Sequence, residues 1–233
     1  MERKENSWKP EILYEDNHLI IINKKPSEIV QADKTGDQPL SEKIKQFLKE
    51  KYNKPGNVFL GVVHRIDRPV SGIVIFAKTG KALERMNRIL HDREIEKIYW
   101  AIVKNKPEND FGTLVHYLIK DQEKNKVRIY KTNRQNALKA ELNYKYLNSS
   151  TRYHLLEVEL LTGRPHQIRA QLSAIGCPIK GDLKYGYSRS NENASIHLHA
   201  RKVVFVHPVS KQKLEIIANP PDDLLWNFFQ SNQ

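Results

Sequence analysis

The chain of 233 residues predicts an α+β fold, a mixed and mainly antiparallel sheet with flanking helices. Strand-like segments outnumber helical ones, and several must pair over long stretches of chain. No repeat, low-complexity tract or linker divides the sequence, so a single domain over 1–233, or two intimate subdomains, is expected.

In chain order, Ile12 to Asn23 reads as a hairpin with polar residues at its tip. Ser41 can cap a helix whose Ile44, Phe47, Leu48 and Tyr52 recur on one face. Lys43, Lys45, Lys49, Lys51 and Lys54 then lie largely on its wet face. Val58 to Val63 and Ile73 to Ala77 read as buried strands, with Pro69 and Gly72 punctuating the bend between them. Thr79 opens a helix through Leu83, Met86 and Leu90 that ends near Asp92-Arg93. Lys97 to Val103 is a strand whose alternation separates Tyr99 and Ala101 from Ile98, Trp100 and Ile102.

Further strands are expected at Leu114 to Ile119, Val127 to Tyr130, Leu138 to Leu147 and Tyr153 to Leu161. A helix starts at Pro165, a favoured first helical position, and stops at Gly176. Ile196 to Val206 and Lys213 to Ile217 close the sheet. The Pro220-Pro221 break precedes a short helix bearing Leu224, Leu225 and Phe228. The loops over Asn105 to Gly112 and Lys120 to Asn125 are charged and expected at the periphery.

Hydrophobic content of 39% suffices for a core, and the net charge of +12 creates a field that attracts polyanions, nucleic acid first among them. No apolar run reaches membrane-spanning length, and Met1 to Pro10 is polar, without the apolar centre of a signal peptide. The single Cys177 rules out an internal disulfide and a cysteine-based zinc cluster. A cytoplasmic protein without metal is the expectation.

The chemistry concentrates in Gly61 to Phe76, where Asp67 stands between Arg65 and Arg68 in a turn joining two apolar runs. A neighbouring cation favours the ionised form of an acid, and a carboxylate fixed by scaffold strands serves as nucleophile or general base. For an isolated Arg-x-Asp, the ordinary account is an ion pair that locks the turn.

Three separated segments change that weighting. His64-Arg65-Ile66-Asp67-Arg68-Pro69-Val70-Ser71-Gly72 resembles the H-R-[LI]-D-x-x-[TV]-S-G motif of RluA-type RNA pseudouridine synthases. Lys97-Ile98-Tyr99-Trp100-Ala101 resembles that family's K-x-Y-x-A strand, and Thr162-Gly163-Arg164-Pro165-His166-Gln167-Ile168-Arg169 its T-G-R-x-H-Q-[IL]-R motif. Gly176 to Asp182, Leu198-His199-Ala200 and His207-Pro208 add supporting matches in the same order.

The resemblance implies the pseudouridine synthase fold with a central RNA-binding cleft, and an enzyme that isomerises uridine in RNA without metal or organic cofactor. It implies an ionised catalytic Asp67, a base-stacking Tyr99 and an Arg169 paired with the acid. Arg65, Arg68, Arg164, His166 and Gln167 take supporting places toward RNA or substrate. The partner implied is a ribosomal or transfer RNA stem-loop; no membrane or protein partner is implied, and a monomer is the default. No extra N-terminal RNA-binding domain is expected. Departures from the pattern at Val70, at Ala170-Gln171 and at Glu28 bear on substrate preference and leave the three principal residues intact.

The residue types suit the reaction. A uridine must leave its stack at a cost of a few kcal/mol, and an aromatic ring returns about 1–3 kcal/mol by stacking on the base. Asp67 can attack the anomeric carbon, take the ribose 2′ proton or attack the uracil ring, and the sequence does not choose among these. Tyr99 points away from the Trp100 face, and its hydroxyl can assist proton removal from carbon 5; a plain core aromatic is the alternative. On the helix, His166, Arg169 and Ser173 share a face beside the Ile168, Leu172, Ile175 stripe, so His166 and Arg169 can look into one cleft. Arg169 can grip Asp67 through two bonds.

His197, His199 and His207 read as structural histidines and not as metal ligands. The His-Arg-x-Asp fragment lacks the companions a kinase needs. Two rival functions stand beside the synthase: a non-catalytic RNA-binding or ribosome-assembly factor, and a sugar-cleaving hydrolase. The hydrolase would want a second facing carboxylate.

Overall fold

The computed structural model describes residues 8–232. The polar start on which the lack of a signal peptide was read lies partly outside them.

Eleven strands form one sheet: β1 (Ile12–Glu15), β2 (Leu19–Lys24), β3 (Gly61–Val62), β4 (Ser71–Ala77), β5 (Ile95–Val103), β6 (Phe111–Asp121), β7 (Lys126–Tyr130), β8 (Leu138–Ser149), β9 (His154–Leu160), β10 (Leu198–Val206) and β11 (Lys213–Ile217). Their order is β1-β2-β4-β10-β5-β9-β8-β6-β7, with β3 on β4 and β11 on β10. Among the described residues four α-helices accompany them: α1 (Leu40–Lys51), α2 (Gly80–His91), α3 (Gln167–Ala174) and α4 (Leu224–Ser231). The predicted mixed, mainly antiparallel α+β architecture is what the chain adopts.

The one parallel pairing among the described strands joins β4 to β10, where Ser71 and Gly72 stand opposite His199 and Ala200. It unites an N-terminal half around β4 with a C-terminal half around β5. Gly72 makes the junction possible. Its φ is +112°, and a Cβ there would lie 2.6 Å from the Ala200 nitrogen, so only glycine lets the two backbones come so close. The buried Ser71 Oγ and His199 Nδ1 hydrogen-bond across the seam at 2.9 Å.

The strand alternation on β5 has the expected consequence. Tyr99, Ala101 and Val103 join the main core, while Trp100 and Ile102 join a second cluster with Leu155, Trp226 and Phe229 under α4. Leu224 of that helix is 92% exposed, so its anchors are Trp226 and Phe229. Thr79 caps α2 as predicted, accepting from the Ala82 amide.

Local differences have local causes. The strand expected over 58–63 shortens to Gly61–Val62, opposite Ala77 and Phe76 of β4, with one further bond from Val63 N to Ile75 O. α1 begins at Leu40 after Pro39, and Ser41 is buried inside it with its amide donating to Val30 O. Tyr52, expected on the apolar face, ends α1 half exposed, its hydroxyl donating to Glu15. The last long strand starts at Leu198, because Ile196 N donates to Pro69 O in the turn before β4. α3 starts at Gln167, two residues beyond Pro165, because the intervening His166 takes a left-handed φ of 51°.

Candidate active site

Asp67 lies in the loop between β3 and β4, whose main chain is tied down from three directions. Ser27 N donates to Arg68 O at 2.9 Å, Ile196 N to Pro69 O at 3.1 Å, and Val70 N to Asp67 O at 3.0 Å. The Lys24 ammonium adds a bond to Arg68 O at 3.2 Å and two more, at 2.9 Å, to Lys25 O and Glu28 O. Lys24 is 1% exposed, and burial pushes its ammonium down to about 7.

The cation beside Asp67 is not a sequence neighbour. Arg68 turns away to pair with Asp37 at 2.7 Å, and Arg65 is exposed at the rim. Instead Arg169, 102 residues downstream, donates from Nη1 to Asp67 Oδ2 at 2.8 Å. The expected two-bond grip goes elsewhere. Arg169 Nε and Nη2 bind the two oxygens of Asp182 at 2.7 and 2.8 Å, leaving a single bond for Asp67. Burial works against the Arg169 charge, but the Asp182 bonds outweigh it and raise its pKa further.

His166 approaches the same carboxylate oxygen, with Nε2 at 3.8 Å. Its Nδ1 lies 2.8 Å from the Tyr185 hydroxyl, which itself accepts from Val127 N at 2.8 Å. Because that phenol oxygen already accepts one bond, its proton is free for Nδ1, which leaves the hydrogen of a neutral His166 on Nε2, facing Asp67. Burial lowers the His166 pKa and favours that neutral ring. The Tyr185 ring carries the Arg169 guanidinium on its face at 5.0 Å. His166 and Arg169 thus reach one place, although α3 begins after His166 and not before it.

Tyr99 projects from β5 into the same cleft and is 8% exposed. Burial first, then the negative charge of Asp67, pushes its phenol pKa upward, so the hydroxyl keeps its proton. Asp67, Tyr99 and Arg169 line one open cleft of about 2020 Å³, together with Arg65, Arg68, Arg164, His166 and Gln167. Arg164 is half buried, its Nε donating to Lys139 O at 3.0 Å. Gln167 is 3% exposed. Its Oε1 accepts from Thr162 Oγ1 and Arg164 N, and its Nε2 donates to Glu141 O, so it holds the turn before α3.

The stretch Lys120 to Asn125, expected at the periphery, reaches the cleft instead. Lys120 and Asn125 line it, and Lys184 donates to Asn125 O at 2.8 Å. The three histidines singled out in the sequence have structural partners: His197 meets Asn191 and Asp223, His199 meets Ser71 and Ala218 O, and His207 accepts from Ser210 N.

Lys24, Asp182 and Tyr185 escaped sequence reasoning. Asp182 closes the segment Gly176 to Asp182, whose resemblance was noted without a role. Lys24 is signalled only by its place at the end of the wholly apolar run Leu19 to Ile22.

Residues 18–174 match the family described as RNA pseudouridylate synthase. The chain is 31% identical over 213 residues to a Vibrio cholerae protein named ribosomal large subunit pseudouridine synthase C, covering 89% of this chain and 64% of that protein. This chain therefore spans just under two thirds of that relative's length. It is 33% identical over 208 residues to the Haemophilus influenzae dual-specificity RNA pseudouridine synthase RluA, covering 88% of this chain and 90% of that one. Its fold resembles human RNA pseudouridylate synthase domain containing 4, with a TM-score of 0.78 over 95% of this chain and 92% of that one at 23% identity.

Proposed function

The chain belongs to the RNA pseudouridylate synthase family, within its RluA-type members, and from that premise we propose that it isomerises uridine to pseudouridine in large-subunit ribosomal RNA. The observation that carries this is the carboxylate of Asp67, held by Arg169 in a cleft that Tyr99 also lines. The name of the Vibrio relative supports a ribosomal target. That of the Haemophilus relative, dual-specificity, favours a second substrate class, and transfer RNA is the second reading.

The reaction breaks the bond from the ribose to uracil N1 and forms one to C5; C5 gives up a proton and the freed N1 takes one up. No atom enters or leaves. The protein must therefore supply a carboxylate beside the sugar and a surface that retains the detached base while it turns. Asp67 supplies the first, by attack at the anomeric carbon, removal of the 2′ proton or addition to the ring. Tyr99 supplies the second by stacking, and its hydroxyl is a group able to assist removal of the C5 proton. Arg65, Arg68, Arg164 and Lys184 offer cations to the phosphates on either side.

The test is to incubate the protein with a uridine-containing large-subunit ribosomal RNA transcript and map pseudouridine by mass spectrometry. Wild type should form it without added metal or cofactor, and Asp67→Asn should lose at least about a thousandfold in rate while folding normally. Turnover surviving Asp67→Asn, or release of free uracil, overturns the assignment.

A further inference from the structure

Arg169 is gripped more firmly from behind than it grips Asp67. Asp182 is 1% exposed, and both of its carboxylate oxygens are bonded to the Nε and Nη2 edge of the guanidinium. Its main chain is equally fixed. Asp182 N donates to Ile179 O at 3.0 Å, and Asp182 O accepts from Tyr185 N at 3.1 Å and Tyr187 N at 3.0 Å. The preceding Gly181 has a φ of +87°, and a Cβ there would lie 2.7 Å from Ser195 O, so this turn admits glycine alone. Beneath the guanidinium the Tyr185 ring blocks tilting. Nothing in the proposed chemistry at Asp67 uses Asp182, which lies behind Arg169 and does not itself line the open cleft.

We propose that Asp182 is a positioning residue for the isomerisation, acting through Arg169. By occupying the bidentate edge it leaves only Nη1 for Asp67, which sets the direction of the reacting carboxylate. It also divides one positive charge between two negative ones. The Asp67–Arg169–Asp182 group then carries a net charge of about −1, where a simple pair would be neutral, and Asp67 keeps more of its electron density for attack. A single guanidinium serving two carboxylates steadies the nucleophile without quenching it. This inference rests on Asp67 being the reacting group.

The experiment compares wild type, Asp182→Asn, Asp67→Asn and Arg169→Lys on the same RNA transcript, reading kcat, KM and the pH dependence of kcat/KM. Asparagine has the shape of aspartate and no charge, so Arg169 becomes fully available to Asp67. Asp182→Asn should lower kcat about 10- to 100-fold with KM within about threefold, and should move the acid limb of the profile to lower pH. The other charged or titratable groups around the trio, namely His166, Tyr185, Lys184, Tyr99, Lys24 and Arg68, are the same in both proteins and do not account for such a movement. In an Arg169→Lys background the further effect of Asp182→Asn should nearly vanish, since lysine cannot hold two carboxylates in one plane.

An unchanged kcat and an unmoved acid limb in Asp182→Asn, with Asp67→Asn inactive, refute the inference and leave the function standing. Activity in Asp67→Asn removes the function itself. Should Asp182→Asn fail to fold, Asp182→Glu takes its place: the charge is kept, so kcat should fall while the acid limb stays. Wild-type kcat in Asp182→Glu refutes the positioning role.

Discussion

Replacing Lys24 by methionine should weaken the fold in a pH-dependent manner and loosen the loop that carries Asp67. Methionine matches the lysine stem in bulk but donates nothing. The carbonyls of Lys25 and Glu28 lose this donor, at about 1–3 kcal/mol each, whereas Arg68 O keeps the Ser27 amide. The expected loss is about 2–6 kcal/mol where the amine is neutral. Burial, the largest influence on Lys24, lowers its pKa from 10.5 to about 7, with Glu28 and Asp67 pulling it back up.

The folded value lies below the unfolded one. Between them the unfolded chain holds a proton that the folded chain has released, so wild-type stability rises with pH by up to about 1.4 kcal/mol per unit. Below about 7 that gain is absent. The Lys24→Met variant lacks this slope. The stability gap between the two proteins should therefore widen by as much as about 2–3 kcal/mol from pH 7 to pH 9. The three carbonyl acceptors favour the ammonium form, which makes that figure an upper bound. Urea unfolding of both proteins at half-unit steps of pH measures it, and pseudouridine formation by the variant should slow because Arg68 O sits one residue from Asp67. A gap that is constant across this range, or that narrows as pH rises, refutes the reasoning.

Gly72→Ala should cost roughly 3–5 kcal/mol, from left-handed strain of about 1–2 kcal/mol plus the lost seam bonds between β4 and β10. Thermal melts should fall by about 10 °C; a melt within about 2 °C of wild type counts against the close approach of Gly72 to Ala200. Tyr99→Phe keeps the stacking ring and loses the hydroxyl, so KM should hold while kcat drops about 10- to 1000-fold. Tyr99→Leu should in addition weaken RNA binding by about 1–3 kcal/mol, read by filter binding, and wild-type affinity there would show that no base stacks on position 99.

Much of the fold was legible because it depends on local periodicity. The alternation of Trp100 and Ile102 against Tyr99 and Ala101 is a property of any extended strand, and it divides β5 between two cores; Ile98 is buried but joins neither. The Thr79 cap followed from its hydroxyl and from the apolar spacing after it. Element ends were less legible where a tertiary partner decides them. Val58 to Leu60 has strand composition but no neighbour in register, and Pro165 has the φ of a helix start while His166 beside it takes a left-handed turn.

The sequence singled out three candidate residues, namely an acid in a strand-bounded turn, a tyrosine on the inner face of a strand, and an arginine on a short helix. Residue type and spacing alone left an ion pair and a core aromatic as ordinary accounts, and the resemblance of three motifs in order singled these residues out. The pairing of Arg169 with Asp67 was implied by the resemblance, but its single-bond form and the other partners came from the tertiary structure. Arg68 adjoins Asp67 in the chain and turns to Asp37, while Arg169, 102 positions away, holds the acid and is itself held by Asp182. The reason is geometric. Arg68 sits inside the turn that Val70 N closes on Asp67 O and points to Asp37, whereas the Gly72 seam between β4 and β10 brings two remote halves of the chain within hydrogen-bonding reach.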